Sequence, residues 1–243
     1  MISSTQGKEW FHKGIINIDN KEISIDSCSL QNKRERNEDF LCWGETLDKS
    51  LFFIVCDGLG GHAYGEEASK ETATVIANEL SKINLEKEGY TVEQLRRDII
   101  NAIKKAARTI RSHRDNRDTT LVLALLTPYK LFLISIGDSL AEAIISLSDD
   151  HLNDVSHKTP VQGIGNRVFY TIAGIWEDDP ILPATLYEIA LDGPVTFILA
   201  TDGIEHLFSN WTKVSGSYEL CKKACIADTD NATCIIVKVS STT

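Results

Sequence analysis

The chain has 243 residues, enough for one large domain or two small ones, and its 42% apolar and 25% charged content is ordinary for a soluble globular protein. A formal charge of −10 argues against general nucleic-acid binding, which needs a basic footprint. No run approaches the roughly 18 apolar residues of a membrane span and the first residues lack the apolar core of an export signal, so a cytoplasmic protein without membrane or nucleic-acid partners is expected.

In chain order, Glu22–Leu30, Phe40–Glu45 and Leu51–Cys56 read as strands, short β-rich apolar runs bounded by turn signals. From about Glu66 to Ile83, the side chains of Ala68, Thr72, Val75, Ile76, Leu80 and Ile83 form the stripe of an amphipathic helix. Thr91-Val92-Glu93-Gln94 has the spacing of a capping box, and a second helix is predicted to start there, with Val92, Leu95, Ile99, Ala102, Ile103, Ala106 and Ile110 on its apolar face. Strands resume at 119–126, 130–137 and 140–146. The stretch 148–183 is polar, mixed and carries no clear period. Strands return at 186–191 and 195–201, a helix is predicted over Ser217–Ala227, and Ala232–Val239 closes the chain as a strand. Only five prolines and no Gly/Ser-rich tract occur, so no linker divides the chain, and a single domain over 1–243 is expected. Strands on both sides of a helical pair, without β-α alternation, predict an α+β fold of two packed sheets flanked by helices.

Six cysteines (Cys28, Cys42, Cys56, Cys221, Cys225 and Cys234) show no C-x-x-C pair and read as reduced, buried small hydrophobes. Between Arg96 and Arg117 eight basic residues face two acidic ones. That stripe reads as a solvated helix face, with docking of an acidic partner as the functional alternative.

Three apolar runs end in the same way. Leu51–Cys56 runs into Asp57-Gly58, Leu131–Gly137 into Asp138-Ser139, and Val195–Thr201 into Asp202-Gly203. Glu38-Asp39 precedes the first run and Asp230-Asn231 the last. A carboxylate at the end of a buried strand sits at the edge of a sheet, rigidly held and open to solvent. Several such edges together make a nest of oxygen ligands for a hard divalent cation. Each Asp-Gly or Asp-Asn pair alone is an ordinary turn; jointly they point to metal-dependent hydrolysis of phosphate esters.

The ordered set Arg34-x-x-Asn37-Glu38-Asp39, Asp57-Gly58-Leu59-Gly60-Gly61-His62-x-x-Gly65-Glu66, Thr119-Thr120, Gly137-Asp138-Ser139, Thr201-Asp202-Gly203 and Asp230-Asn231 resembles the type 2C metal-dependent serine/threonine protein phosphatases in their bacterial form. The resemblance runs from about residue 24 to residue 239. It implies a four-layer α-β-β-α sandwich, two mainly antiparallel sheets with helices outside, and a site at one end. It implies Mg²⁺ or Mn²⁺, two core ions and a weaker third. Asp57 would bridge the two, with the Gly58 carbonyl as a further ligand. Asp202 and Asp230 would complete the second ion's set, Asp39 would act through water, and Asp138 with Asp202 would hold the third. Arg34 would grip the substrate phosphate, with a planar fork that lysine lacks. A hydroxide bridging ions about 4 Å apart would attack phosphorus directly. Carboxylates this crowded repel by roughly 1–4 kcal/mol per pair, so cations are needed.

The expected activity is therefore that of a phosphoprotein phosphatase, a monomer acting on the targets of a kinase or on the kinase itself. A non-catalytic scaffold of the same fold and a phosphatase for a small metabolite are the alternatives. Arg36 competes with Arg34 for the phosphate register. Leu59 stands where some members carry histidine, and His62 is expected to brace the following helix. Departures from the family pattern occur at Gln31, at Asp118 in place of a small residue, at Leu140 in place of arginine, and over 166–174. None removes a metal ligand; they bear on substrate access.

Overall fold

Apolar residues at strand period, once paired, close into two six-stranded antiparallel sheets in the computed structural model of the protein, which describes residues 2–3, 8–18, 20–59, 64–146, 155–164, 167–168, 170–176 and 185–241. The first part comprises β1 (Ile2–Ser3), β2 (Glu9–Ile18), β3 (Lys21–Leu30), β4 (Asp39–Glu45), β5 (Leu51–Asp57), α1 (Gly65–Leu80) and α2 (Val92–Ser112). Next come β6 (Leu121–Leu126), β7 (Lys130–Ile136), β8 (Leu140–Ile145), β9 (Val155–Lys158), β10 (Gly163–Ile164) and β11 (Arg167–Val168). The last part holds β12 (Thr185–Ala190), β13 (Val195–Ala200), a 3₁₀ segment (Asp202–Lys213), α3 (Ser217–Ala227) and β14 (Ala232–Ser241). One sheet has the order β1-β4-β5-β6-β7-β12, the other β2-β3-β14-β13-β8-β9, and β10 and β11 pair as a separate small hairpin.

Strand β5 shows what holds the layers together. Leu51, Phe53 and Val55 point between the sheets, against Phe197, Leu199, Ile235 and Val237. The Phe53 and Phe197 rings meet edge to face at 5.5 Å. Phe52, Ile54 and Cys56 point outward, beneath Ile76 and Leu80 of α1 and Ile99 and Ile103 of α2. Both faces are covered, so the strand is a continuous apolar run without alternation. The outer face of the second sheet, through Ile198, Ala200, Cys234 and Ile236, is covered by Phe208 and Trp211 of the 3₁₀ segment and by Leu220 and Ala224 of α3. Helix, sheet, sheet, helix is the four-layer order that the resemblance implied.

The predicted capping site is in place, since the Thr91 hydroxyl accepts the Gln94 N–H at 3.1 Å. Gln94 turns its amide to Asp98 at 2.8 Å, so the recorded cap is the forward half of the box. Three features lay outside the sequence reading. Strand β2 carries apolar residues on both parities (Trp10 and Ile16 with Phe11 and Ile15), and as an edge strand it alternates only between exposed and half-buried positions. Strands β1, β9, β10 and β11 are too short for a period to register, and Asp202–Lys213 winds as a 3₁₀ segment.

Pairing registers place one end of each sheet. Asp39 opens β4 directly opposite Asp57, the last residue of β5, and Leu121 of β6 faces Ile136 of β7. In the other sheet Ala200 faces both Leu140 and Cys234, and Ala232 faces Leu30. The five acidic positions therefore lie at or within two residues of these strand ends.

Candidate metal centre

Asp57 is fixed through its backbone. Its N–H donates to the Thr120 hydroxyl at 3.1 Å, and its carbonyl accepts the Thr120 N–H at 2.9 Å and the Thr119 hydroxyl at 2.7 Å. The Thr120 hydroxyl is also 2.7 Å from that of Ser139, beside Asp138. The Thr119-Thr120 pair thus ties the Asp57 strand end to the Asp138 turn. Gly58 follows under severe constraint. A Cβ there would fall 2.2 Å from the Gly65 carbonyl oxygen and 2.8 Å from that of Glu38, so only glycine lets β5 pass the start of α1 this closely.

The loop that carries Arg34 is anchored by Asn231. Its side-chain oxygen accepts the Glu38 N–H at 2.9 Å, and its amide donates to the carbonyls of Gln31 at 2.7 Å and Arg36 at 3.0 Å. Asn32, at φ +55, donates to the carbonyls of Asp228 and Asp230, both at 2.9 Å. The two arginines are separated by their partners. Arg34 bonds Asp230 at 2.7 Å, inside the acidic cluster, whereas Arg36 lies 3.8 Å from Glu66 on α1. Gln31 in place of glycine supports this loop, donating to the Arg34 carbonyl at 2.7 Å.

The carboxylates feel one another. Burial is the largest cause raising Asp57 well above the usual carboxylate range, followed by Asp39, Asp202, Asp230 and Asp138. Burial likewise lifts Asp39 to about 8, with Asp230 and Asp202 adding to the rise and the neighbouring Thr233 and Thr201 hydroxyls opposing it. Asp202 rises to about 6, through burial and then Asp138 and Asp230, while a hydrogen bond with Asp57 pulls it down. Asp138 is raised by burial, with Glu205 and Asp230 contributing. Five acids from separate parts of the chain therefore share one field at one end of the sandwich.

The donor set suits a hard cation. Asp39 is 1% exposed; its Oδ2 accepts the Thr201 hydroxyl at 3.0 Å, but Oδ1 is buried without a hydrogen-bond partner. Such an orphaned carboxylate oxygen costs several kcal/mol unless a proton or a cation meets it. Among the described residues, Arg34 is the cation in ion-pair contact with the cluster, and no three Asp, Glu, His or Cys side chains already close into a single-ion cage. Small divalent ions that keep several waters do not require a closed cage. The residues present fit all-oxygen, partly hydrated ions.

Two further residues join the site, neither of which the sequence reading gave a role of its own. Glu205, on the 3₁₀ segment, acts electrostatically on Asp138 and Asp202. Glu38 is raised by burial, against Arg34, which lowers it. Only their nearness to an Asp motif could have signalled them. Leu59 donates its N–H to the Asp118 carbonyl at 3.1 Å. His62 and His151 lie outside the described residues. All six cysteines are free thiols, and Cys56, behind Asp57, is fully buried with its thiol pushed up by burial, which excludes it as a nucleophile. The basic stripe is largely committed within the chain: on α2, Arg96 to Glu188 at 2.9 Å, Lys105 to Glu79 at 2.7 Å and Arg111 to backbone carbonyls, and beyond it Arg117 to Asp115 at 2.7 Å.

The protein phosphatase 2C family profile matches residues 29–229, and the chain belongs to that family. It is by class a metal-dependent serine/threonine phosphoprotein phosphatase. Solved structures of similar fold include the S. agalactiae serine/threonine phosphatase, at 17% identity and TM-score 0.71, over 88% of this chain and 98% of that one. Stp1 from Staphylococcus aureus is 19% identical with TM-score 0.68, over 88% of this chain and 93% of that one. The catalytic domain of PstP, a Mycobacterium tuberculosis phosphatase solved with two manganese ions, is 19% identical with TM-score 0.68, over 91% of this chain and 100% of that one. At these identities the likeness is one of fold. No curated protein sequence matches this one.

Proposed function

We propose that this protein hydrolyses phosphoserine and phosphothreonine in protein substrates, using Mg²⁺ or Mn²⁺ held by Asp39, Asp57, Asp138, Asp202, Asp230 and the Gly58 carbonyl. The observation that carries this reading is the shared field of five carboxylates at one end of the sandwich, with the orphaned Asp39 oxygen inside it. When bound, the ions would supply Lewis-acid charge and acidify water toward a nucleophile near neutral pH. Every other role falls to the chain. Asp57, central in the cluster, would be shared between two core sites, Asp202 and Asp230 would complete one of them, and Asp39 would act from its buried position through water. Asp138, beside Asp202, would serve a weaker third site. Arg34 keeps its guanidinium partly open to solvent beside Asp230, where its planar fork can take two phosphate oxygens and hold phosphorus for in-line attack. No side-chain nucleophile, and so no covalent phospho-enzyme, is needed.

A monomer in the cytoplasm opposing a protein kinase belongs to the same proposal; among the described residues no helix is long and apolar enough to cross a membrane. The test is Mn²⁺-dependent phosphate release from a phosphothreonine peptide. It is expected to vanish in excess chelator and to fall about a hundred- to a thousandfold in Asp57→Ala and Asp202→Ala. Full turnover in chelator would reject the proposal. A metabolite panel turned over faster than phosphopeptides would move it to small-molecule substrates.

A further inference from the structure

Asp118 stands where the family pattern has a small residue, and its carboxylate is fully engaged. Oδ1 accepts the N–H of Thr119 at 2.8 Å and that of Ala173 at 2.8 Å, while Oδ2 accepts the Thr171 hydroxyl. Its carbonyl accepts the Leu59 N–H at 3.1 Å. Thr119 adds a parallel link, for its carbonyl accepts the Ile172 N–H at 3.0 Å and its hydroxyl donates to the Asp57 carbonyl at 2.7 Å. Residues 171–173 are thereby tied to the strand end that carries Asp57. A glycine or alanine at 118 would supply none of the side-chain bonds.

The same segment is gripped from behind and abuts the site in front. Arg111 of α2 donates to the carbonyls of Ala173, at 3.2 Å, and Ile175, and its guanidinium lies 4.4 Å from the centre of the Trp176 ring. Ile172 and Ile175 are fully buried in the layer beneath α1 and α2. Gly137, at φ +100, turns the chain into Asp138, and a Cβ there would fall 3.4 Å from the Tyr170 carbonyl oxygen. Gln162, before the β10–β11 hairpin, closes on the same glycine, accepting its N–H at 2.9 Å and donating to its carbonyl at 3.0 Å. Both limbs of the hairpin thus leave from the Asp138 turn, and Asp118 is the post to which the outgoing limb is tied. Tyr170, on that limb, is 50% exposed.

We propose that Asp118 is a positioning residue for the protein part of the substrate. It fixes the outgoing limb of the β10–β11 hairpin beside the Asp138 turn, where the limb forms one wall of the approach to the carboxylate cluster. This rests on the phosphatase reading above. Asp118 touches neither phosphate nor cation. A phosphopeptide needs the wall, whereas a small aryl phosphate reaches the cluster without it.

Wild type, Asp118→Ala and Asp118→Asn are compared with Mn²⁺ on a phosphothreonine peptide and on p-nitrophenyl phosphate, with amide hydrogen exchange of 170–176 in parallel. Asp118→Ala is expected to raise KM for the peptide about five- to tenfold, to keep kcat on the aryl phosphate within about twofold, and to speed exchange of the Ala173 amide. Asp118→Asn keeps an acceptor at Oδ1 and is expected to recover most of the peptide KM. Equal losses on both substrates, or an alanine variant with unchanged peptide KM, overturn the proposal. Should Asp118→Ala not fold, Thr171→Val removes one of the bonds at nearly constant shape, and the same split in weaker form is expected; its absence counts against the proposal. If the wild type shows no Mn²⁺-dependent phosphate release, the function reading fails by itself. Exchange at Ala173 then still decides whether Asp118 holds the limb, and unchanged exchange in the alanine variant overturns it.

Discussion

Asp39 is the carboxylate whose surroundings least suit a bare charge, and its titration has a measurable consequence. Burial lifts it to about 8 and Asp202 to about 6 in the folded, cation-free protein, whereas unfolded carboxylates release their protons near 4. Between about pH 4 and about pH 8 the folded chain therefore binds more protons than the unfolded chain, and stability falls as pH rises through that window. Thermal melts in chelator are expected to drop from about pH 5 to about pH 8, with a smaller drop in Asp39→Asn. A cation replaces the proton, so Mn²⁺ is expected to raise the melting temperature more at the upper end of the range. Identical slopes for wild type and Asp39→Asn would refute the account. Arg34 invites a second substitution. Arg34→Lys keeps the charge but loses the fork, and kcat/KM on phosphopeptide is expected to fall about 10- to 100-fold with little change in melting temperature. An equal loss in Arg36→Lys would show that the wrong arginine has been given the phosphate.

Among the elements, glycine positions decide how closely the strand ends approach the helices. A Cβ at Gly58 would meet the Gly65 oxygen at 2.2 Å, and one at Gly203 the Asn231 oxygen at 1.9 Å. Neither neighbour is a flexible side chain, so the backbone itself must shift. Gly58→Ala and Gly203→Ala are each expected to cost about 1–3 kcal/mol of stability and to weaken Mn²⁺ binding, measured by calorimetry. Retained affinity in either would place the site away from these ends. The sequence showed the buried strands because both faces of β5, β6 and β7 are covered, and it showed α2 because Thr91 and a clean stripe mark its start. Strand β2 stayed hidden because an edge position leaves its side chains half in water, so selection for period two is weak. The site motifs were legible for a similar reason. Asp57, Asp138 and Asp202 each terminate a run that packing makes unmistakable, while the action of Glu205 on Asp138 and the bond from Asp118 to Ala173 join residues far apart in sequence, which no local pattern announces.

At the scale of the whole molecule, three stacked apolar layers hold four strata, and the middle layer joins the sheets. Phe53→Ala empties the contact with Phe197 and is expected to cost about 3–5 kcal/mol, read as a lower denaturant midpoint. Damage there reaches the site as well, because Asp39 and Asp57 belong to one sheet while Asp202 and Asp230 flank strands of the other. With the roles proposed above, the ion that Asp57 would share with Asp202 and Asp230 would be a rivet between the two halves of the sandwich.

That arrangement makes the acidic cluster depend on the seating of one strand, β14. Asp230 lies two residues before β14, which inserts between β3 and β13, so that sheet is continuous only with β14 in place. With the roles proposed above, displacing β14 parts Asp230 from Asp57, and Mn²⁺ affinity and turnover are expected to be lost together.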